Sequence, residues 1–322
     1  MEHRPVRNAP FTASVVGLGC NNLGRVGVAS ETAQGVADVV HAAIDAGVTF
    51  FDTADRYGAE WGLSETLLGL AIAHRRDEVV VATKFGHLDF PTPLDPLGAK
   101  GSRAYIRASV DASLTRLGID TIDLYQQHMP DSTTPIEDTL SALAELVEEG
   151  KIRAYGHTQF SADDIRASEA AAVTLGVAPF VSSQDELSLI ARDVESNGRL
   201  DAAAAVGLGF LPFFPLANGL STGKFTRTSR PAGTRIAEQR PQIAEHADWD
   251  AMEAFEVFAA DRGITMLEAT FGWFLARPVV SSVIAGATRP EQVRQNAESS
   301  SWRPTPDELA FIDGLFPPKA AG

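Results

Sequence analysis

The sequence holds one cysteine, Cys20, in 322 residues. A disulfide within the chain is therefore excluded, which fits a reducing cytosol. Positive charge is also short: 27 Lys and Arg stand against 42 Asp and Glu, a formal net charge of −15. Such a balance argues against a nucleic-acid or anionic membrane surface, although a small anionic cofactor needs only local cations. No window approaches the ~20 apolar residues of a membrane helix, and the opening MEHRPVRNAP has no apolar run of the signal type. A cytoplasmic location is the expectation. Familiar nucleotide signatures are missing as well. GLGCNNLG (17–24) lacks the G-x-G-x-x-G spacing of a dinucleotide turn. Gly219–Lys224 resembles a phosphate-binding P-loop but is one residue short, and Phe225 stands where Ser or Thr would hold magnesium. No cluster of His, Cys and carboxylates has metal-ligand spacing.

What is present is a large core and a strict alternation. Hydrophobic residues make up 44% of the chain and charged ones 21%, enough for one barrel domain or two ordinary domains and too little charge for disorder. Eight apolar runs read as strands: SVVGLGC, VTFFDTA, EVVVATK, TIDLYQQH, KIRAYGHTQF, APFVSSQ, GLGFLPFFPLA and SSVIAGA. Unbroken runs such as VVVAT suit strands covered on both faces. Helical stripes separate them, for example Val36, Val39, Val40, Ala43 and Ile44, with Ser30 as the expected cap and Gly47 as the stop. Ser102 and Ser161 open later helices, and a helix is expected over about 193–206. Thr134 and Thr288 each read as the start of a capping box with proline next in line or close behind, and Thr305 opens a last short helix. Residues 85–101 and 218–244 form two long loops, and residues 1–14 form a lead-in with room for a small hairpin. Eight βα units without a composition break predict an α/β fold, a single-domain (β/α)8 TIM barrel over 1–322 with its long loops at the C-terminal face. A doubly wound sheet would need the Gly-rich turn that is missing.

Three of the runs end in a reactive polar group. TFFD ends at Asp52, VVVAT runs into Lys84, and IDLYQQ runs into His128; Tyr57 follows Asp52 by five residues. In a parallel barrel these strand ends share one mouth. The expected chemistry is proton transfer to a carbonyl oxygen. Tyr57 is the general acid. A free phenol has a pKa near ~10, so it needs an ammonium beside it. Lys84 supplies that charge, Asp52 holds Lys84, and His128 orients the substrate oxygen.

DTADRYG, TKFG and LYQQHMPD together resemble the aldo-keto reductases, with GLGCNNLG, GKIRAYG and FPLANGLSTGK as flanking blocks, over about residues 11–300. The resemblance implies a (β/α)8 barrel that reduces aldehydes and ketones, or oxidises alcohols, by hydride transfer with NADP(H) or, less often, NAD(H). It implies the same roles for Asp52, Tyr57, Lys84 and His128. It implies a nicotinamide held by Thr158, Gln159 and Gln184 and stacked on Phe213, whose π-face serves that purpose. Pro215, Leu216, Asn218, Leu220, Gly223 and Lys224 would wrap the pyrophosphate. Gly286 and Gln292 stand where the family often has a Lys and an Arg for the adenosine 2′-phosphate. Thr288 and Arg289, at a helix N-terminus, are the expected substitutes. Gln295 and Asn296 would meet the adenine. Leu23, Trp61, Phe85 and Phe90, on loops over the mouth, are expected to wall an apolar substrate pocket. The departures at 286 and 292 keep an NAD-dependent sugar or alcohol dehydrogenase in view. A slow NADP-binding regulatory protein is a further alternative. The expected partner is a small carbonyl or alcohol.

Overall fold

The eight apolar runs close on themselves. In the computed structural model, which describes residues 1–319, a short antiparallel hairpin of β1 (His3–Pro5) and β2 (Thr12–Ser14) precedes the barrel strands. These are β3 (Val16–Gly19), β4 (Phe50–Asp52), β5 (Val80–Phe85), β6 (Ile122–Gln127), β7 (Ile152–Thr158), β8 (Ser182–Glu186), β9 (Gly209–Phe213) and β10 (Val283–Gly286). They form a closed barrel in sequence order, β10 pairing back on β3, and every pair is parallel. Closure removes the free sheet edge.

Strand alternation then builds the site. Phe50, Ala82, Leu124, Ala154, Val181, Leu211 and Ile284 form an apolar floor with Val6 and Ala13 of the N-terminal hairpin. Two residues further on, the same inward face carries Asp52 on β4, Lys84 on β5 and Gln126 on β6, because side chains repeat every second residue along a strand. The hairpin thus plugs the N-terminal mouth. The C-terminal mouth stays polar, where a barrel of this type carries its loops. The interior is narrow near the plug. A Cβ on Gly17 would lie 2.8 Å from Ser282 Oγ and 2.9 Å from Ile284. The larger apolar layer lies between barrel and helices and includes Val39, Phe51, Val81, Tyr125, Leu143 and Trp273.

The helices are α1 (Ala33–Asp45), α2 (Leu63–Ile72), α3 (Arg103–Leu117), α4 (Ile136–Glu148), α5 (Ala162–Leu175), α6 (Asp193–Ser196), α7 (Arg199–Ala205), α8 (Arg235–Glu238), α9 (Pro241–Glu245), α10 (Trp249–Ala260), α11 (Met266–Leu275), α12 (Pro290–Glu298) and α13 (Pro306–Leu315). Ser102, Ser161 and Thr305 cap as expected, the last two in capping boxes with Asp164 and Glu308. Four local expectations change. Thr32, not Ser30, caps α1, while Ser30 lies in a preceding 3-10 turn and its hydroxyl bonds Asn22 O. Thr134 does not cap α4, because its hydroxyl donates to Asp131 and Pro135 takes the cap position. The helix expected over 193–206 is broken at Asn197 and Gly198 into α6 and α7. At α12 it is Gln292, not Glu291, that reaches back to the turn. Among the described residues no helix is long and apolar enough to cross a membrane.

Candidate active site

The barrel brings Asp52, Tyr57, Lys84 and His128 together at one mouth. Lys84 is fully buried, and its ammonium spends all three donors locally. It donates to Asp52 Oδ2 at 2.6 Å, to the Thr53 carbonyl at 2.9 Å and to Tyr57 Oη at 3.5 Å. The other oxygen of Asp52 accepts from Gln126 Nε2 at 3.2 Å and Gln184 Nε2 at 3.0 Å. Side chains from β5, β6 and β8 therefore fix one carboxylate, and that carboxylate fixes the ammonium. Burial alone would pull the Lys84 amine down, yet Asp52 and Tyr57 carry it above its ordinary value. Lys84 is charged.

Tyr57 sits in the β4–α2 loop, its N–H on Ala54 O at 3.1 Å and its carbonyl accepting from Ser64 N at 3.0 Å. The phenol does not fall below its ordinary range as the sequence reading expected. Burial pushes it up by more than Lys84 pulls it down. Tyr57 therefore holds its proton at neutral pH, with an ammonium 3.5 Å away to receive the phenolate charge. The His128 ring meets Tyr57 edge-on, centroids 6.0 Å apart. Burial first, and then Lys84, His87 and Arg56, hold the imidazole well below its usual range, so it is neutral and carries one N–H. Its backbone carbonyl accepts from Thr158 Oγ1 and, at 3.3 Å, from Gln159 Nε2.

Comparison with known proteins is consistent along almost the whole chain. Residues 15–316 match the model of the aldo/keto reductase family. The chain belongs to the aldo/keto reductase family. L-glyceraldehyde 3-phosphate reductases of Escherichia coli O157:H7 and of Escherichia coli strain K12 are each 32% identical to it over 287 residues, covering 85% of this chain and 82% of the relative. Membership makes it an oxidoreductase of a family that takes small carbonyl substrates.

The loop after β9 has the shape of an anion cradle. Phe214, Ala217 and Asn218 all adopt positive φ, as do Gly219 and Gly223, and non-glycine residues hold that conformation only where the surroundings impose it. Asn218 Oδ1 is buried without a partner, an orphan that a cofactor amide or hydroxyl would satisfy. A Cβ on Gly219 would lie 2.8 Å from Lys224 Nζ, so the glycine lets that ammonium lie across the loop. Leu216 and Phe213 stay partly accessible, while Leu220 and Pro215 are buried. Three arginines that the sequence reading did not single out gather here. Arg235 and Arg240 lie over the Phe214 ring at 5.4 and 5.7 Å. Arg25 bonds Asn22 Oδ1 at 2.9 Å and Gln239 Oε1 at 2.5 Å. Burial and then the neighbouring Arg25 and Arg240 bring Arg235 down to about 10, and its Nε has no partner. These cations, one with an unpartnered Nε–H, fit the phosphates of a dinucleotide, and the Asn218 oxygen fits a donor elsewhere on it.

Other expected contacts are arranged differently. Gln184 spends its amide on Asp52 and so supports the ammonium. Gln292 Oε1 accepts from the N–H groups of Thr288 and Arg289 at 2.8 and 3.2 Å. The N-terminus of α12 is thus already filled by a side chain, leaving the exposed Arg289 as its free charge. Gln295 is exposed beside it, Asn296 is buried, and Gly286 is exposed at the end of β10. Of the four residues expected to wall the pocket, Leu23 and Phe85 are fully buried in the barrel–helix layer, Phe85 stacked on Tyr125 at 4.8 Å. Trp61 lies over Arg116, which pairs with Glu65 of α2. Phe90 is partly accessible and lies under the Arg56 guanidinium of the Tyr57 loop at 5.4 Å.

Asp55, two residues before Tyr57, is buried and neither carboxyl oxygen has a partner. Burial, reinforced by Glu65 and opposed by Arg116, Lys100 and Arg56, pushes it up to about 7. A raised carboxyl favours the fold fully below the unfolded value of about 4 and loses that advantage as pH rises towards 7. Asp55→Asn removes the penalty. The variant should be more stable than the parent at pH 8, by up to about 4 kcal/mol, and not at pH 4. Thermal melting at the two pH values checks this. An equal difference at both would contradict it.

Proposed function

We propose that the protein reduces aldehydes or ketones with NADPH, with Tyr57 as the general acid. A bound nicotinamide would supply the hydride. The chain's residues do the rest. His128 and Tyr57 hydrogen-bond the substrate oxygen and set its position. Tyr57 gives that oxygen its proton as negative charge develops there. Lys84 stabilises the resulting phenolate, and Asp52, braced by Gln126 and Gln184, keeps Lys84 charged and aimed. Thr158, Gln159 and the face of Phe213 hold the nicotinamide end. Lys224 and Arg235 meet the pyrophosphate, the Asn218 oxygen accepts from a cofactor amide or hydroxyl beside it, and Arg289 meets a 2′-phosphate. The observation that carries this reading is the single ammonium shared by Asp52, Thr53 and Tyr57. We read the enzyme as cytoplasmic, and the kinship with L-glyceraldehyde 3-phosphate reductases puts small aldehydes first among compounds to assay.

A second reading, an NAD-dependent dehydrogenase, draws on the occupied N-terminus of α12, where Gln292 takes the N–H groups a phosphate would use. Fluorescence titration separates the two. NADPH should bind at least about tenfold more tightly than NADH, the worth of one charge-assisted contact. Equal or tighter NADH binding would move the assignment to the second reading.

A further inference from the structure

Arg56 is a cation that proton transfer does not use. It stands between Asp52 and Tyr57 in the sequence, and its guanidinium points to the next loop. Nη1 donates to His87 Nε2 at 2.5 Å, and the His87 ring meets His128 edge-on with centroids 4.8 Å apart. We propose that Arg56 recognises an anionic group on the substrate, a carboxylate or phosphate ester carried a short chain away from the carbonyl. The inference rests on the carbonyl-reductase reading and adds the substrate class to it.

Three observations support it. First, Arg56 makes no salt bridge among the described residues, in a chain with fifteen more acids than bases. Four other partly buried arginines, away from the mouth, are neutralised: Arg76 by Asp123, Arg116 by Glu65, Arg192 by Glu195 and Asp313, and Arg277 by Glu195 and Asp313, whereas Arg235 and Arg240, also without an acid, lie at the loop after β9. An arginine left uncompensated beside an active site has a ligand charge missing. Second, its one partner does not cancel it. A guanidinium has no acceptor, so His87 Nε2 must accept and the imidazole proton sits on Nδ1. Burial, Arg56 and Lys100 outweigh Asp89 and bring His87 down to about 4, so it stays neutral. Third, the corner is built in advance. Lys100 donates to the carbonyls of His87 at 2.9 Å and Phe90 at 2.6 Å and pairs with Asp95 at 3.3 Å. With its donors used, Lys100 acts as a staple on the loop. The Phe90 ring lies 5.4 Å from the guanidinium. A planar fork held in this way takes a carboxylate or phosphate on two N–H groups at little ordering cost.

The test compares kcat/KM with NADPH for two pairs that differ in the charged group: glyceraldehyde 3-phosphate against glyceraldehyde, and succinic semialdehyde against butyraldehyde. The wild type should prefer the charged member of at least one pair by about tenfold or more. The pair in which the preference appears tells phosphate from carboxylate. Arg56→Gln should bring that ratio near one, mainly by raising KM for the charged compound, and Arg56→Lys should keep part of it. Should Arg56→Gln melt below assay temperature, Arg56→Lys and the loss of preference in high salt carry the test. No preference in either pair, or a preference that survives Arg56→Gln, overturns the inference and leaves the reductase reading standing. No turnover of any of the four compounds overturns both.

Discussion

Tyr57→Phe is expected to bind NADPH as the parent does and to turn over about 10²–10⁴-fold more slowly, the usual contribution of a positioned general acid. The substitution removes one oxygen. The loop bonds of Tyr57 are made by its backbone, to Ala54 and from Ser64, so they survive. The Lys84 ammonium keeps Asp52 and the Thr53 carbonyl. The loss should fall on kcat, because the proton is needed only as charge develops on the substrate oxygen. Steady-state kinetics with cofactor titration is the check. A variant within tenfold of the parent on a good substrate would assign the proton to another group.

Lys84→Met should be inactive and also less stable by about 3–5 kcal/mol, the cost of leaving one partner of a buried ion pair. Both side chains of the pair are almost wholly buried, 1% and 3% exposed, so water cannot replace the lost ammonium. Two amides soften the penalty, since Gln126 and Gln184 still donate to Asp52 Oδ1. The value should therefore sit near the lower end. Lys84→Met/Asp52→Leu, which removes both charges, should recover much of the stability and none of the turnover. Urea denaturation of the three proteins measures it. A single variant as stable as the parent would mean that Asp52 is solvated or protonated without its partner.

Much of the site was legible because strand geometry is periodic. Asp52 and Lys84 stand two residues beyond Phe50 and Ala82, inward residues of the floor, so the alternation that buries the one aims the other. The same rule sends Phe85, one residue past the inward Lys84, outward against Tyr125 and away from the pocket. Gln126 was within reach by the same count from Leu124. Other features follow no period. Whether the Gln184 amide turns to a cofactor or to Asp52 depends on what lies across the barrel. The net rise of the Tyr57 phenol depends on how deeply the loop is buried, which spacing does not encode. Arg235 and Arg240 come from a long irregular segment, and only its path brings them over Phe214. Caps were read to within two residues at α1, where Ser30 and Thr32 are both chemically able and the 3-10 turn decides between them.

The most direct test of hydride transfer paired with a tyrosine proton is a single turnover with NADPH carrying deuterium at the transferable position. In the wild type the label should appear on the former carbonyl carbon of the alcohol, and Tyr57→Phe should slow its appearance by the same factor as kcat. Product without label, or label appearing equally fast in both proteins, would contradict the account.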